Sequence, residues 1–264
     1  MKRTAPRALA RRCPPKGPCG RPQAAAFGGP ASGLWPSGRT AAVPPSCFVA
    51  TLFSDCFAGC SGSMNGGSPG PICGWTYNEA FGPLGGGISF TPGIMSLDTT
   101  LATDYPGAAK PLGASLPDIL GMTVRYSFTE FQGVPTLLTT YQIAVNNVGS
   151  AKTVFVSLFG DGSLVVQVGP VAAAPTYNGT WTPNGGSHDV HVTVDALGVP
   201  TLFIDGLAIP LTFAGNIFSF ASLFPADSVI LFAGSDLAVP ASSPVTSVFV
   251  SSGVLSETMV FCCP

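Results

Sequence analysis

The stretch SHDVHVTVDALGVPTLFIDGLAIPL, Ser187 to Leu211, decides how the chain is read. It holds both histidines and three of the thirteen acidic residues of the protein, a density that suggests an active site. Its apolar pattern points elsewhere. Val190, Val192 and Val194 recur at every second position in phase with His188, leaving Asp189, His191, Thr193 and Asp195 on the other face, which is the period of a β-strand. A strand sends the two histidines to opposite sides, whereas a His-x-x-x-His zinc pair relies on helical spacing to align its nitrogens. His188 reads as a partly buried histidine at the start of the strand. The run PTLFI then reaches Asp205-Gly206 before LAIPL. Asp-Gly between two β-rich runs is a hairpin turn, because both residues tolerate positive φ, and the Asp can cap that turn without any ligand. Asp189, His191 and Asp195 share a face open to two readings, plain solvation or contact with a cation or a sugar hydroxyl.

The same texture extends outward in both directions. In GMTVRYSFTEF, Met122, Val124, Tyr126 and Phe128 alternate with Thr123, Arg125, Ser127 and Thr129. TTYQIAVNN follows, and TVFVSLF and SLVVQV are separated by Gly160-Asp161-Gly162, a second hairpin signal. Beyond Leu211 come FSFASLF, SVILFAG and TSVFVSSGVLSETMVFCCP, again short and rich in β-branched or aromatic residues. Roughly ten to thirteen strands at this spacing predict an all-β antiparallel sandwich. Gly (33) and Pro (26) together exceed a fifth of the 264 residues and argue against long helices.

Charge divides the chain. Eight of the eleven basic residues precede position 40 and no acidic residue does, so residues 1–45, rich in Arg, Pro, Ala and Gly, read as a flexible basic arm. Such an arm suits docking to an acidic partner or a neighbouring subunit; a targeting segment, sequence upstream of the true start and a functionless tail are the other readings. Residues 46–264 then form the folded domain. There the only cations are Lys110, Arg125 and Lys152, so a nucleic-acid role by counterion release is excluded for this part. No apolar run reaches the length of a membrane span, and MKRTAPRALARRCPPKGPCG lacks the apolar core of a signal peptide. Eight cysteines and few charges fit an oxidising or extracellular setting.

The order of these elements resembles the concanavalin A-like lectin/glucanase superfamily, in particular its laminin G-like branch. The residues carrying the resemblance are TLFSDCFAG, GWTYNEAFGPLGGGISFTPGIMSLDT, NGTWTPNGGSHDVHVTVDALGVPTLFIDGLAIPL and the closing SSPVTSVFVSSGVLSE. It implies a jelly roll over 46–264 and functions ranging from glycan-binding lectins and adhesion modules to polysaccharide hydrolases and viral surface domains. Relatives hold Ca2+ through loop carboxylates, which makes Asp55, Asp98, Asp104 and Asp236 candidates by position, although no cofactor is required. The first and last strands of such folds lie side by side, which implies that Cys262 or Cys263 comes near Cys47 or Cys56.

The motifs of catalysis are missing. Hydrolases of the superfamily carry Glu-x-Asp-x-Glu on one strand, and Glu79, Glu130 and Glu257 stand in no such motif. Gly66-Gly67-Ser68-Pro69-Gly70 matches a nucleophile elbow formally, but Pro69 and Pro71 follow the serine where a helix must begin. Cys47, Cys56, Cys60 and Cys73 lack the short paired knuckles of a zinc site and read as disulfides or buried thiols. Among Trp35, Trp75 and Trp181, the last two stand where the family packs a rim aromatic. The alternative is sugar stacking by Trp181 with Tyr177 and Asn184. Asn178-Gly179-Thr180 is an N-glycosylation sequon. The expectation is a non-enzymatic surface module that binds glycan or protein partners through its loops, with Trp181, Tyr177, Asn184, Asp189 and His191 as contact residues. The alternatives are a self-assembling structural component of a virion or extracellular assembly and, third, a secreted glycan hydrolase.

Overall fold

The computed structural model describes residues 51–65, 70–79, 86–100, 105–113, 116, 118–132, 139–147, 152–170, 174–217, 227–235 and 240–253. The arm expected over 1–45 and its boundary with the folded domain lie outside these residues.

Among the described residues there are seventeen strands and no helix. In chain order they are β1 Thr51–Asp55, β2 Gly62–Asn65, β3 Thr76–Glu79, β4 Gly87–Thr91, β5 Ile94–Thr99, β6 Pro106–Pro111, β7 Met122–Thr129, β8 Thr139–Asn147, β9 Lys152–Phe159, β10 Ser163–Pro170, β11 Ala174–Thr180, β12 Ser187–Val194, β13 Pro200–Ile204, β14 Leu207–Ile209, β15 Thr212–Ile217, β16 Ser228–Ser235 and β17 Ala241–Ser252. The count exceeds the ten to thirteen expected in part because β2 and β3 are only four residues long, too short for periodicity to register.

Every pairing is antiparallel, and the strands form two sheets. One runs β14-β13-β12-β7-β17-β5-β4-β2, with β1 pairing β17; the other runs β15-β11-β10-β9-β8-β16-β6-β3. The jelly-roll sandwich implied by the resemblance is therefore the architecture the chain adopts. Thr51 pairs with Ser251, so the first described strand does lie beside the last.

Alternation builds the core. Val124, Tyr126 and Phe128 of β7 and Val190, Val192 and Val194 of β12 face Ile143 and Val145 of β8 and Val154 and Val156 of β9 across the sandwich, all buried in one apolar cluster. In β17 a bulge between Val245 and Ser247 shifts the phase, so that Val245, Val248 and Val250 all point inward. A smaller buried cluster of Ala109, Ala144, Phe155, Ile230 and Phe232 occupies the opposite face of the second sheet. Both Asp-Gly hairpins form, β9 with β10 and β13 with β14. Asp161 caps its own turn through the Ser163 N–H at 2.8 Å, whereas Asp205, at φ 54°, reaches sideways instead.

Candidate binding site at one end of the sandwich

The end of β7, the β11–β12 loop and the β13–β14 turn meet around Glu130. Continuing the alternation of Val124, Tyr126 and Phe128 places Glu130 in an inward position, and its side chain is fully buried. A buried carboxylate needs donors. Oε1 accepts the backbone N–H groups of Asn184 (2.7 Å) and Gly185 (2.9 Å) and lies 2.8 Å from Nε2 of His188. His188 is 2% exposed, more deeply buried than its position at the strand start suggested, because it shares the inward phase of Val190. Its Nδ1 lies 2.7 Å from Oδ2 of Asp205, whose Oδ1 accepts the N–H of Asp189 at 2.8 Å. The Asp205 carboxylate thus ties its turn to β12. Gln132 adds bonds from Nε2 to the carbonyls of Gly185 (2.8 Å) and Glu130 (3.1 Å).

Trp181 closes this cluster from the side. Its indole N–H donates to the Phe159 carbonyl at 2.7 Å, and its ring stands edge-on to His188 at 5.1 Å and to Tyr141 at 6.3 Å. It is 6% exposed, so it packs as a rim aromatic rather than presenting a face to a sugar. Tyr141 accepts the Phe131 N–H at 2.8 Å, and burial pushes its phenol up to about 12. Asn184 is exposed and holds its loop closed by accepting the Gly186 N–H at 2.7 Å. Tyr177 lies away from this cluster, half-buried against Phe213.

The outward face of β7 and β12 continues the polar surface. Arg125 forms a fork on Asp189 through Nε (2.7 Å) and Nη2, Ser127 Oγ donates to the same carboxylate at 3.0 Å, and Ser187 and Thr129 share a hydroxyl bond of 2.8 Å. The shared face of Asp189, His191 and Asp195 is not a uniformly solvated one. His191 is 6% exposed, its ring lies 5.6 Å from that of Phe203, and Nε2 has no partner. Burial, with the Arg125 charge alongside, lowers its pKa against the smaller opposing effect of Asp189. Asp195 is drawn into its own loop, accepting N–H groups from Leu197 and Val199 at 2.8 and 2.9 Å.

Of the carboxylates considered for Ca2+, Asp55 and Asp98 are taken up by protein donors. Asp55 accepts from the Phe57 N–H, the Trp75 indole and Lys110, and Asp98 accepts from Ser89 and Ser242. Asp104 and Asp236 lie outside the described residues, and among the described residues no three His, Cys, Asp or Glu side chains form a metal-sized group. Cys60 and Cys73 form a disulfide, and Cys56 is disulfide-bonded as well. Cys47, Cys262, Cys263, Trp35, Glu257 and the Gly-x-Ser-x-Gly serine lie outside the described residues, as does the side chain of Glu79.

Sequence reasoning passed over Glu130 and Gln132. The signal for Glu130 was present: a carboxylate in phase with four apolar residues of a strand must turn inward.

No family model matches the chain, and no curated protein matches its sequence. Among solved structures, β-agarase A from Zobellia galactanivorans is similar at 10% identity and a TM-score of 0.48, with 77% of this chain and 92% of that one covered. A pseudo β-1,3-glucanase and immunostimulatory antigen of Mycobacterium tuberculosis is similar at 15% identity and a TM-score of 0.47, covering 77% and 99%. A sialidase is similar at 14% identity and a TM-score of 0.42; the chain spans only 17% of its length. None of these likenesses bears on what this chain binds.

Proposed function

We propose that the protein is a non-catalytic binding module that takes hydroxyl-rich glycan ligands on the polar strip running from the β11–β12 loop onto the outer face of β7 and β12. The observation that carries this reading is the Glu130–His188–Asp205 clamp. It spends a buried carboxylate on fixing a loop, so that Gln132, Asn184 and Ser187 stand exposed in one arrangement before any ligand arrives. Amides and hydroxyls both donate and accept, as sugar hydroxyls do, and the Arg125–Asp189 pair offers no net charge.

The arrangement is a poor one for hydrolysis. A retaining glycosidase sets two reachable carboxyl groups about 5 Å apart across a sugar. Here Glu130 is sealed in the core, and Asp55, Asp98, Asp189, Asp195 and Asp205 each accept hydrogen bonds from protein groups. A glycan array probed with the full chain tests the reading: binding is expected to fall at least tenfold in Ser187→Ala and Asn184→Asp. Polysaccharide cleavage lost on one carboxylate substitution would replace binding with catalysis.

A further inference from the structure

We infer that Asn178 is an N-glycosylation site that carries an oligosaccharide on the outer face of the second sheet. The chain has seven asparagines, and only Asn178 opens the pattern Asn-x-Ser/Thr, with Gly179 and Thr180. β11 lies between β10 and β15, with Gly179 opposite Leu164 and with Asn178 opposite Val165 on one side and Thr212 on the other. Leu164 and Trp181 belong to the core cluster, so Gly179 points inward and Asn178 and Thr180 point outward. Both are exposed, and among the described residues neither side chain is hydrogen-bonded. Thr212, and Ser163 opposite Thr180, are exposed as well, which leaves open space around the amide.

Packing accounts for the middle residue of the triplet and not for its ends. A Cβ at Gly179 would lie 3.0 Å from Cδ1 of Leu164, 3.1 Å from the Pro210 carbonyl oxygen and 3.2 Å from Cδ2 of Leu211, so the crossing of β11 over this corner of the core requires the glycine. Asn178 has no such cause. Asparagine is disfavoured within strands, because its short amide competes for backbone hydrogen bonds, yet here it sits inside the seven-residue β11 with no partner in return. Glycosylation uses both outward residues. The transferase reads the Asn amide together with a hydroxyl two residues on. That spacing sends both side chains to the outside once the strand forms, so the folded domain accommodates the attached sugar without disturbing its core.

The co-substrate is an oligosaccharide joined through a diphosphate to a lipid. Nδ2 of Asn178 attacks the anomeric carbon; the N–C bond forms as the C–O bond to the diphosphate breaks, the lipid diphosphate leaves, and the amide gives up one proton to the transferase. The Cys60–Cys73 disulfide and the disulfide-bonded Cys56 fit the oxidising lumen in which such a transfer takes place. The site is independent of the proposed ligand strip, because that strip lies on the first sheet, with β7 and β12, and Asn178 on the outer face of the second.

Intact mass of the full chain, purified from the organism that makes it, tests the inference before and after digestion with peptide-N-glycosidase in heavy-oxygen water. The expected mass exceeds that of the polypeptide by whole hexosamine and hexose residues, and digestion removes the excess while leaving a labelled aspartate at position 178. In the same host, Asn178→Gln and Thr180→Ala are expected to lack the sugar and Thr180→Ser to keep it. Circular dichroism is expected to be unchanged in all three, because both positions are exposed. A wild type with the bare polypeptide mass, or an excess that persists in Asn178→Gln, would overturn the assignment.

Discussion

Nε2 of His188 lies 2.8 Å from Oε1 of Glu130, and both side chains are buried. A carboxylate and an imidazole removed from water hold their place only through the groups that bond them. In this case those groups belong to three separate segments, which gives the pair its structural weight.

Removing the carboxylate is expected to cost far more than neutralising it. Glu130→Ala leaves His188 and the N–H groups of Asn184 and Gly185 without their common acceptor, a loss of about 3–5 kcal/mol by analogy with broken buried pairs. Glu130→Gln keeps an acceptor in place and costs about 1–2 kcal/mol. Urea unfolding monitored by tryptophan fluorescence separates the two.

Asp205 combines a left-handed backbone at φ 54° with two acceptor roles. Asp205→Asn tolerates the backbone and keeps an oxygen, so a loss below about 1 kcal/mol is expected. Asp205→Ala adds strain to two lost hydrogen bonds and is expected to cost about 2–3 kcal/mol. Equal losses in both variants would show that the carboxylate charge itself matters most.

His191 sets a pH dependence of known sign. Its pKa in the folded protein lies below the ordinary 6.5, lowered first by burial and then by Arg125. The unfolded chain therefore binds more protons there, and stability rises with pH across that interval. As pH falls through 6.5 toward the lower folded value, the wild type is expected to lose stability that His191→Gln does not lose. Unfolding midpoints of both proteins, measured from neutral pH downward, give the comparison; parallel curves would rule the effect out.

The Cys60–Cys73 disulfide closes a loop with a sequence separation of 13. Loop-closure entropy predicts about 3 kcal/mol of stabilisation. The Cys60→Ala, Cys73→Ala double variant is expected to unfold at correspondingly lower urea, with its secondary structure by circular dichroism unchanged.

Most of the fold was legible because alternation is a local signal. The phase of Val190, Val192 and Val194 placed His188 inward and Asp189 outward, and the bond from Arg125 to Asp189 agrees with that outward phase. Length limited the rest: β2 and β3 are four residues long and carry no period of their own. The site was harder to read. Glu130 and His188 are 58 residues apart in sequence, and only the pairing of β7 with β12, which sets His188 opposite Phe128, brings them together. Asp205 was recognised as a turn residue, but the partners of its carboxylate depend on the pairing of β12 with β13, which sets Val190 opposite Ile204. His191 sits on an outward face yet is buried, because the neighbouring Phe203 and Arg125 are large enough to cover it, and alternation reports direction rather than cover.

The most direct test of the central claim is a titration of immobilised glycans with the folded chain, run in parallel with Ser187→Ala and with an assay for released reducing ends. The account predicts saturable binding by the wild type, at least tenfold weaker binding by the variant at an unchanged unfolding midpoint, and no release of sugar by either. Binding that ignores Ser187→Ala, or sugar release that disappears when one carboxylate is replaced, would contradict it.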